Sequence, residues 1–277
     1  FNPSFTVEYD LNDYSNLYAK VVTAYKSGGT SQRSTSAENF ETGFDPEELV
    51  SYELGYKGDL LDGRMRFNAA LFYMQYDDYQ QSVATGRNAG ERDFVNIEDA
   101  EITGLEFDLT LAITEDLTGT LSYGYLDTSF GPSTISYMRI DDSSPTGFRD
   151  VEESLTEDLA LAPEHSITGS LDYSTAIAIG TLNANINIQY QDEAFGGVQV
   201  PSGVLNDRTL VAATLSIADI ALGENYGSLR VSLWGNNLLD EEYQIGHIRQ
   251  ETFDNFGLIG LATFGDPRTY GVTMEYS

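Results

Sequence analysis

No cysteine occurs anywhere in the 277 residues, which removes a disulfide framework, a thiolate metal site and a cysteine nucleophile at once. Basic residues are scarce as well: 14 Lys and Arg stand against 44 Asp and Glu, a formal charge of −30. Phosphate backbones need a basic surface, so nucleic acid is not an expected partner, and cationic partners or divalent ions are favoured. Histidine is limited to His165 and His247, far apart in the chain. Long apolar runs are missing too. Nothing approaches the roughly 18 apolar residues of a membrane-spanning helix, and a hydrophobic content of 41% with a mean hydropathy of −0.27 resembles an ordinary soluble chain. If this chain crosses a bilayer, it does so with strands, whose alternation an average conceals.

What is present is that alternation. From Leu182 to Gln191 the sequence reads L-N-A-N-I-N-I-Q-Y-Q, so Leu182, Ala184, Ile186, Ile188 and Tyr190 share one face and only Asn and Gln occupy the other. One face suits hydrocarbon, while the amide face wants water or other amides and cannot build a dry core. That combination fits the wall of a water-filled membrane barrel.

The same pattern recurs along the chain. It begins with Phe5, Val7, Tyr9 and Leu11 and continues over Asn16 to Lys26, Leu49 to Leu60, Arg64 to Tyr79, Ile97 to Leu111 and Leu117 to Phe130. Ser166 to Asp172, Leu182 to Gln191, Thr209 to Ile217, Gly227 to Asn236 and Arg268 to Ser277 complete about eleven strands. Short connections near Asn12, Asp62, Glu115, Ile177 and Asp219 alternate with long ones at Ser27 to Glu47, Gln80 to Asn96, Gly131 to Pro163, Glu193 to Asp207 and Asn237 to Pro267. A membrane meander with two unlike ends requires this asymmetry. The expected fold is therefore all-β, an antiparallel up-and-down transmembrane β-barrel read as one domain over residues 1–277.

An odd strand number does not close such a barrel, and known bacterial single-chain barrels have even counts. The chain also opens at Phe1 without Met or a basic leader, so it is expected to be processed or part of something longer. The 18 Tyr and 14 Phe are many for this length. Tyr9, Tyr25, Tyr73, Tyr125, Tyr173, Tyr190, Tyr270 and Tyr276 fall toward strand ends, where a girdle of rings at the headgroups would put them. Plain β propensity is the competing reading.

The closing strand P-R-T-Y-G-V-T-M-E-Y-S (Pro267 to Ser277) and, upstream, G-N-N-L-L-D-E-E-Y (Gly235 to Tyr243) resemble the last strand, and the Asn-Leu-x-Asp-x-x-Tyr stretch before the last long loop, of TonB-dependent outer-membrane receptors of Gram-negative bacteria. Tyr18 to Gly29 followed by Pro46 to Lys57 resembles another recurrent block, and Asn96 to Leu109 is similar to the strand carrying Ala-x-x-x-Gly-x-Glu. Thr269, Gly271, Met274 and Tyr276 fit the family's outer-membrane assembly signal, with an aromatic expected one position beyond Ser277.

The resemblance implies a barrel of about 22 strands plugged by an N-terminal domain, with these strands as its C-terminal half and the plug outside this chain. It implies energised import of a scarce bulky ligand, a ferric siderophore or similar iron complex. The implied partners are the plug domain of the same protein, TonB through the N-terminal part, and outer-membrane lipid and lipopolysaccharide. Asn183, Asn185, Asn187, Gln189 and Arg230 would be wall facing the plug. A passive pore and a soluble or adhesive acidic β protein remain alternatives. The former needs a closed barrel without a plug, the latter an apolar face buried against another.

No catalytic set is legible, and an enzyme is not expected. Metal coordination or general-base work is open to either histidine, but His165 reads rather as an interfacial polar residue and His247 as a loop residue beside Arg249. For an anionic chelate, Tyr76, Tyr79, Arg87, Arg92, Arg139, Trp234, His247 and Arg249 qualify by type and position. Each also has a structural reading, Tyr79 in the girdle and Trp234 as lumen filling, while Arg230 would pair with a wall carboxylate. No cofactor is expected. Calcium is the one candidate ion, on the loop carrying Asp141, Asp142, Asp150, Glu152, Glu153, Glu157, Asp158 and Glu164 against Arg139 and Arg149, although the spacing matches no EF-hand.

Overall fold

The computed structural model describes residues 1–34, 37–84, 92–131, 133–140, 143–145, 147–155, 158–197, 203–223, 227–248 and 261–277. Its strands are β1 (Ser4–Asn12), β2 (Ser15–Lys26), β3 (Glu47–Leu60), β4 (Met65–Ala84), β5 (Arg92–Ala112), β6 (Leu117–Phe130), β7 (Thr134–Ile140), β8 (Phe148–Ser154) and β9 (His165–Ile177). They continue as β10 (Gly180–Gln191), β11 (Ala194–Phe195), β12 (Val204–Leu205), β13 (Arg208–Ala221), β14 (Ser228–Asn236), β15 (Gln244–Ile248), β16 (Leu261–Phe264) and β17 (Thr269–Tyr276), with one short helix, α1 (Ala37–Thr42). One 11-stranded sheet runs β1-β2-β3-β4-β5-β6-β9-β10-β13-β14-β17, and β7-β8, β11-β12 and β15-β16 are separate hairpins. Every neighbour pair in the sheet is antiparallel and sequential among its members, as an up-and-down wall demands.

Register turns the sequence alternation into two surfaces. Val7 pairs with Ala19, Ala19 with Leu54, Leu54 with Leu71 and Leu71 with Leu105, an unbroken apolar row over five strands. Farther along, Ala184, Leu215, Leu233 and Val272 form a second such row on the same face. No second sheet covers this face among the described residues: Leu54 is 54% exposed, Leu233 55% and Met274 70%. So large an apolar face is stable only against hydrocarbon or a partner surface, and a sandwich would have buried it.

All eight girdle candidates lie on this outer face by the same pairing. Tyr9, Tyr173 and Tyr276 fall near the short-turn end, whereas Tyr25, Tyr73, Tyr125, Tyr190 and Tyr270 fall toward the long-loop end. Two aromatic rims flank an aliphatic band, which β propensity alone would not arrange.

Three details depart from the sequence expectation. The stretch Gln80 to Asn96 is mostly strand rather than loop, because β4 and β5 run 20 and 21 residues where a membrane crossing needs about 9–11. They project past the membrane as a paired extension. Asp219 is no turn but the site of a bulge, with φ 58° and a register shift between Ile217 and Ile220, and the chain reverses between Ala221 and Ser228. Long connections also carry their own hairpins, which alternation had not singled out.

The buried core sits outside the membrane wall. Val83, Ile97, Ala100, Phe130, Leu155 and Leu159 form one cluster, with Tyr76, Tyr79, Val95 and Ile102 packed on it. At Asp78, φ 55°, the β4-β5 ladder skips a residue on each strand, so Tyr76 before it and Tyr79 after it reach the same cluster. The first long connection straps this extension. Gln80 donates from Nε2 to the carbonyls of Ser27 at 3.1 Å and Asp45 at 2.9 Å, and Asn96 donates to those of Asp45 at 3.0 Å and Asp78 at 2.8 Å. Phe44 meets Phe94 at 5.1 Å between centroids.

Candidate functional site

The face opposite the apolar rows is polar and internally bonded. In register, Asn183 faces Ser174 and Ser216, Asn185 faces Asp172 and Thr214, Asn187 faces Ser170 and Ala212, and Gln189 faces Thr168 and Leu210. Asn183 accepts from the Ser174 hydroxyl at 2.9 Å, and Asn185 donates to Asp172 at 2.7 Å. Ser170 also donates to Asp172, at 2.9 Å, and lies 2.8 Å from Thr120, so the ladder spans three strands. Such a network holds amides in place while leaving further donors and acceptors toward the lumen.

The same face carries carboxylates outside the plug-facing set that the sequence indicates. Tyr18 donates to Glu53 at 2.5 Å, Ser122 donates to Asp108 at 2.6 Å, and Lys57 stands 5.0 Å over the Tyr18 ring. Arg66 grips Asp59 with two hydrogen bonds, at 2.8 and 3.2 Å. Period-two parity placed these residues inward, and only the register showed which of them meet.

Trp234 and Gly271 are direct cross-strand partners. The indole N–H donates to Thr273 at 3.0 Å, and its ring lies over Gly271, where an added Cβ would fall 2.7 Å from Cζ2. Arg230 faces Glu275 in register, with Nε 3.8 Å from its carboxylate. Thr269 pairs with Asn236 on the inner face, while Met274 and Tyr276 point outward beside Val231 and Leu229.

At the loop end, Tyr76 and Tyr79 meet edge to face at 5.5 Å and support the buried cluster rather than stand free. Burial, with the Glu47 charge beside it, holds the Tyr79 phenol above its usual range. Arg92 donates to the Ser82 hydroxyl at 3.0 Å and carbonyl at 2.9 Å, and its own N–H donates to the Arg33 carbonyl at 3.2 Å. Burial, then the Arg33 charge, holds the Arg92 guanidinium below its ordinary value. Arg139 lies in β7 and His247 in β15, where the backbone alone is described; Arg87 and Arg249 lie outside the described residues. Of the acidic loop, Asp141, Asp142 and Glu157 also lie outside them, as do the side chains of Asp150 and Glu153. Asp158 and Glu164 line a recess of about 480 Å³ with Asp127, Asp192, Glu193 and Asp207.

The Gly235 to Tyr243 block proves to be the clamp at the foot of the last long connection. Asn237, at φ 48°, donates to the carbonyls of Glu241 at 2.8 Å and Asp266 at 3.1 Å, and accepts from the Glu241 N–H at 2.9 Å. Leu238 lies over Gly235, Asp240 takes Arg268 at 3.0 Å, and Tyr243 covers Gly265. Asn, Leu, Asp and Tyr at this spacing tie the departing strand to the returning one.

A wall with a lipid-suited outside, two aromatic rims, a polar inside and elaborated loops at one end is an outer-membrane β-barrel wall. The chain belongs to the TonB-dependent receptor-like β-barrel family, whose model matches residues 1–238, and such barrels sit in the outer membrane of Gram-negative bacteria. Among curated proteins it is similar to a metal-pseudopaline receptor, CntO, of Pseudomonas aeruginosa, 24% identical over 99% of this chain and 33% of that protein. It is also similar to a ferric-pyoverdine BN7/BN8 receptor of Pseudomonas putida, 25% identical over 100% of this chain and 28% of that protein. The chain thus spans about a third of the length of these relatives. Among solved structures, the ferric yersiniabactin uptake receptor FyuA of Yersinia pestis shares the fold with a TM-score of 0.72 at 16% identity, over 98% of this chain and 36% of that one. The siderophore receptor PiuA of Acinetobacter baumannii does so with 0.68 at 18%, over 98% and 35%.

Proposed function

We propose that this wall is part of a TonB-energised import receptor for a scarce, bulky iron complex of the siderophore type. The observation that carries the reading is the two-faced wall whose long connections fold against one another outside the membrane around a core of their own. Names of the relatives point the same way, one a metal-pseudopaline receptor and another a ferric-pyoverdine receptor. Within this reading Asn183, Asn185, Asn187, Gln189 and Arg230 would face a plug domain of the same protein, and Arg92 with Arg33 beside it would meet an anionic chelate. Lipopolysaccharide would meet the upper aromatic rim. The role is transport rather than catalysis.

The test is uptake of radiolabelled ferric chelates by cells deleted for their own receptors, under iron limitation, with the full-length parent gene supplied. Accumulation should appear with the gene and vanish when TonB is removed. Uptake that persists without TonB would instead identify a passive pore.

A further inference from the structure

Glu164, His165 and Asp192 meet at the long-loop rim, where β9 begins and β10 ends. Backbone pairing brings them there. The last ladder pair is Gln191 with Ser166, and one step beyond it the Asp192 N–H donates to the His165 carbonyl at 2.9 Å. The backbone carbonyl of the adjoining Glu164 accepts from the Leu126 N–H of β6 at 2.9 Å, so three neighbouring strands position the group. One ligand atom from each side chain lies within 4.8 Å of the other two, and His165 Nε2 is 3.9 Å from Glu164 Oε1.

The imidazole is oriented rather than loose. It stacks on Tyr123 at 5.9 Å and packs against Tyr125 at 5.3 Å, and its Nδ1 is 2.9 Å from the Tyr123 hydroxyl. In the tautomer whose Nδ1–H donates to that oxygen, Nε2 carries its lone pair on the side of Glu164, 3.9 Å away, an arrangement that metal-binding histidines adopt. Asp192 is held in turn by the Tyr190 hydroxyl. Two carboxylates brought this close repel each other, and the adjoining acidic recess is lined by no Lys or Arg. A cation relieves that repulsion.

We propose that Glu164, His165 and Asp192 form a divalent transition-metal site of the zinc type, with one nitrogen and two oxygen ligands and an open position toward solvent. The imidazole nitrogen favours zinc-like ions over calcium, which takes oxygen ligands. Bonds of about 2.0–2.2 Å in a tetrahedron set ligand atoms roughly 3.3–3.6 Å apart. The three ligand atoms already lie within 4.8 Å of one another, and Glu164, the most exposed of the three, is the side chain freest to close on an ion. The site lies apart from the wall and loop residues assigned to transport, and its test does not depend on uptake.

The experiment is calorimetric Zn²⁺ titration of the intact, chelator-stripped receptor in detergent, with Co²⁺ absorption reporting coordination. One equivalent should bind with a nitrogen-containing tetrahedral spectrum. His165→Ala and Glu164→Gln should each abolish that equivalent, and Tyr123→Phe should weaken it roughly tenfold or more through loss of the orienting bond. Heat-modifiable gel mobility shows whether each variant is folded, and Glu164→Gln, outside the ladder, keeps the test valid if His165→Ala fails to assemble. Zn²⁺ binding of unchanged stoichiometry and affinity in folded Glu164→Gln, or no binding by the unaltered receptor, overturns the site and leaves His165 as a rim residue packed on Tyr123 and Tyr125.

Discussion

Single residues in this wall are chosen for what stands across the ladder. Gly271 has no side chain because the Trp234 indole occupies its place. Gly271→Ala should therefore lower the fraction of assembled barrel, read as loss of the heat-modifiable band, and Trp234→Ala in the same background should restore it. If the double variant is as defective as the single one, the indole is not the cause. Asn237 works differently, through three hydrogen bonds to the backbone at the foot of the last loop. Asn237→Ala leaves Glu241 and Asp266 without those partners, a cost of about 1–3 kcal/mol when such groups stay buried. Limited proteolysis should then cut between residues 237 and 268 faster than in the parent, with gel mobility of the barrel unchanged.

At the scale of elements, β4 and β5 change character along their length. Near the short turns they alternate between lipid and lumen, while beyond Asp78 they form a two-sided extension with a hydrophobic core. Length is the cause: roughly half of each strand exceeds what the membrane needs, and apolar side chains in water must find cover. Phe130→Ala should remove about 3–5 kcal/mol of packing from that core. The loss should stay local, because the wall is held by its own ladders. Hydrogen exchange should rise in 76–84, 92–100 and 158–162 and stay constant in β9 and β10; a uniform rise would show that loops and wall unfold as one unit.

For the molecule as a whole, the decisive property is that the two faces of one sheet want different solvents. Leu233→Arg on the apolar face should cost about 2–4 kcal/mol if the site lies near the midplane. Asn187→Arg, on the other face of the same wall, should cost little. Denaturant unfolding of the intact receptor in lipid vesicles measures both. Equal costs would contradict the assignment of faces. The charge of −30 belongs to this scale too: much of it lies on the lumen wall and loops, where water and counter-ions screen it.

Because side-chain alternation and turn chemistry are local and survive without neighbours, the sequence by itself determined the eleven wall strands, their faces, the unlike ends and the family, but not the loop hairpins or the reach of β4 and β5 beyond the membrane. Leu182 to Gln191 could be assigned its lipid and amide faces from ten letters. Only the tertiary structure decided who meets whom. That Trp234 covers Gly271, that Asn185 finishes on Asp172, and that Glu164, His165 and Asp192 converge from either side of β9 depends on register and on backbone paths outside the ladder. A histidine 27 residues from an aspartate gives no local sign that the two touch. Likewise Tyr76 and Tyr79, expected from the sequence to meet ligand, with the girdle as the other reading of Tyr79, pack half-buried against the core cluster because β4 and β5 are long enough to leave the membrane. Alternation records which solvent a side chain prefers, whereas contact between distant strands is set by hydrogen-bond register, which no single strand encodes alone.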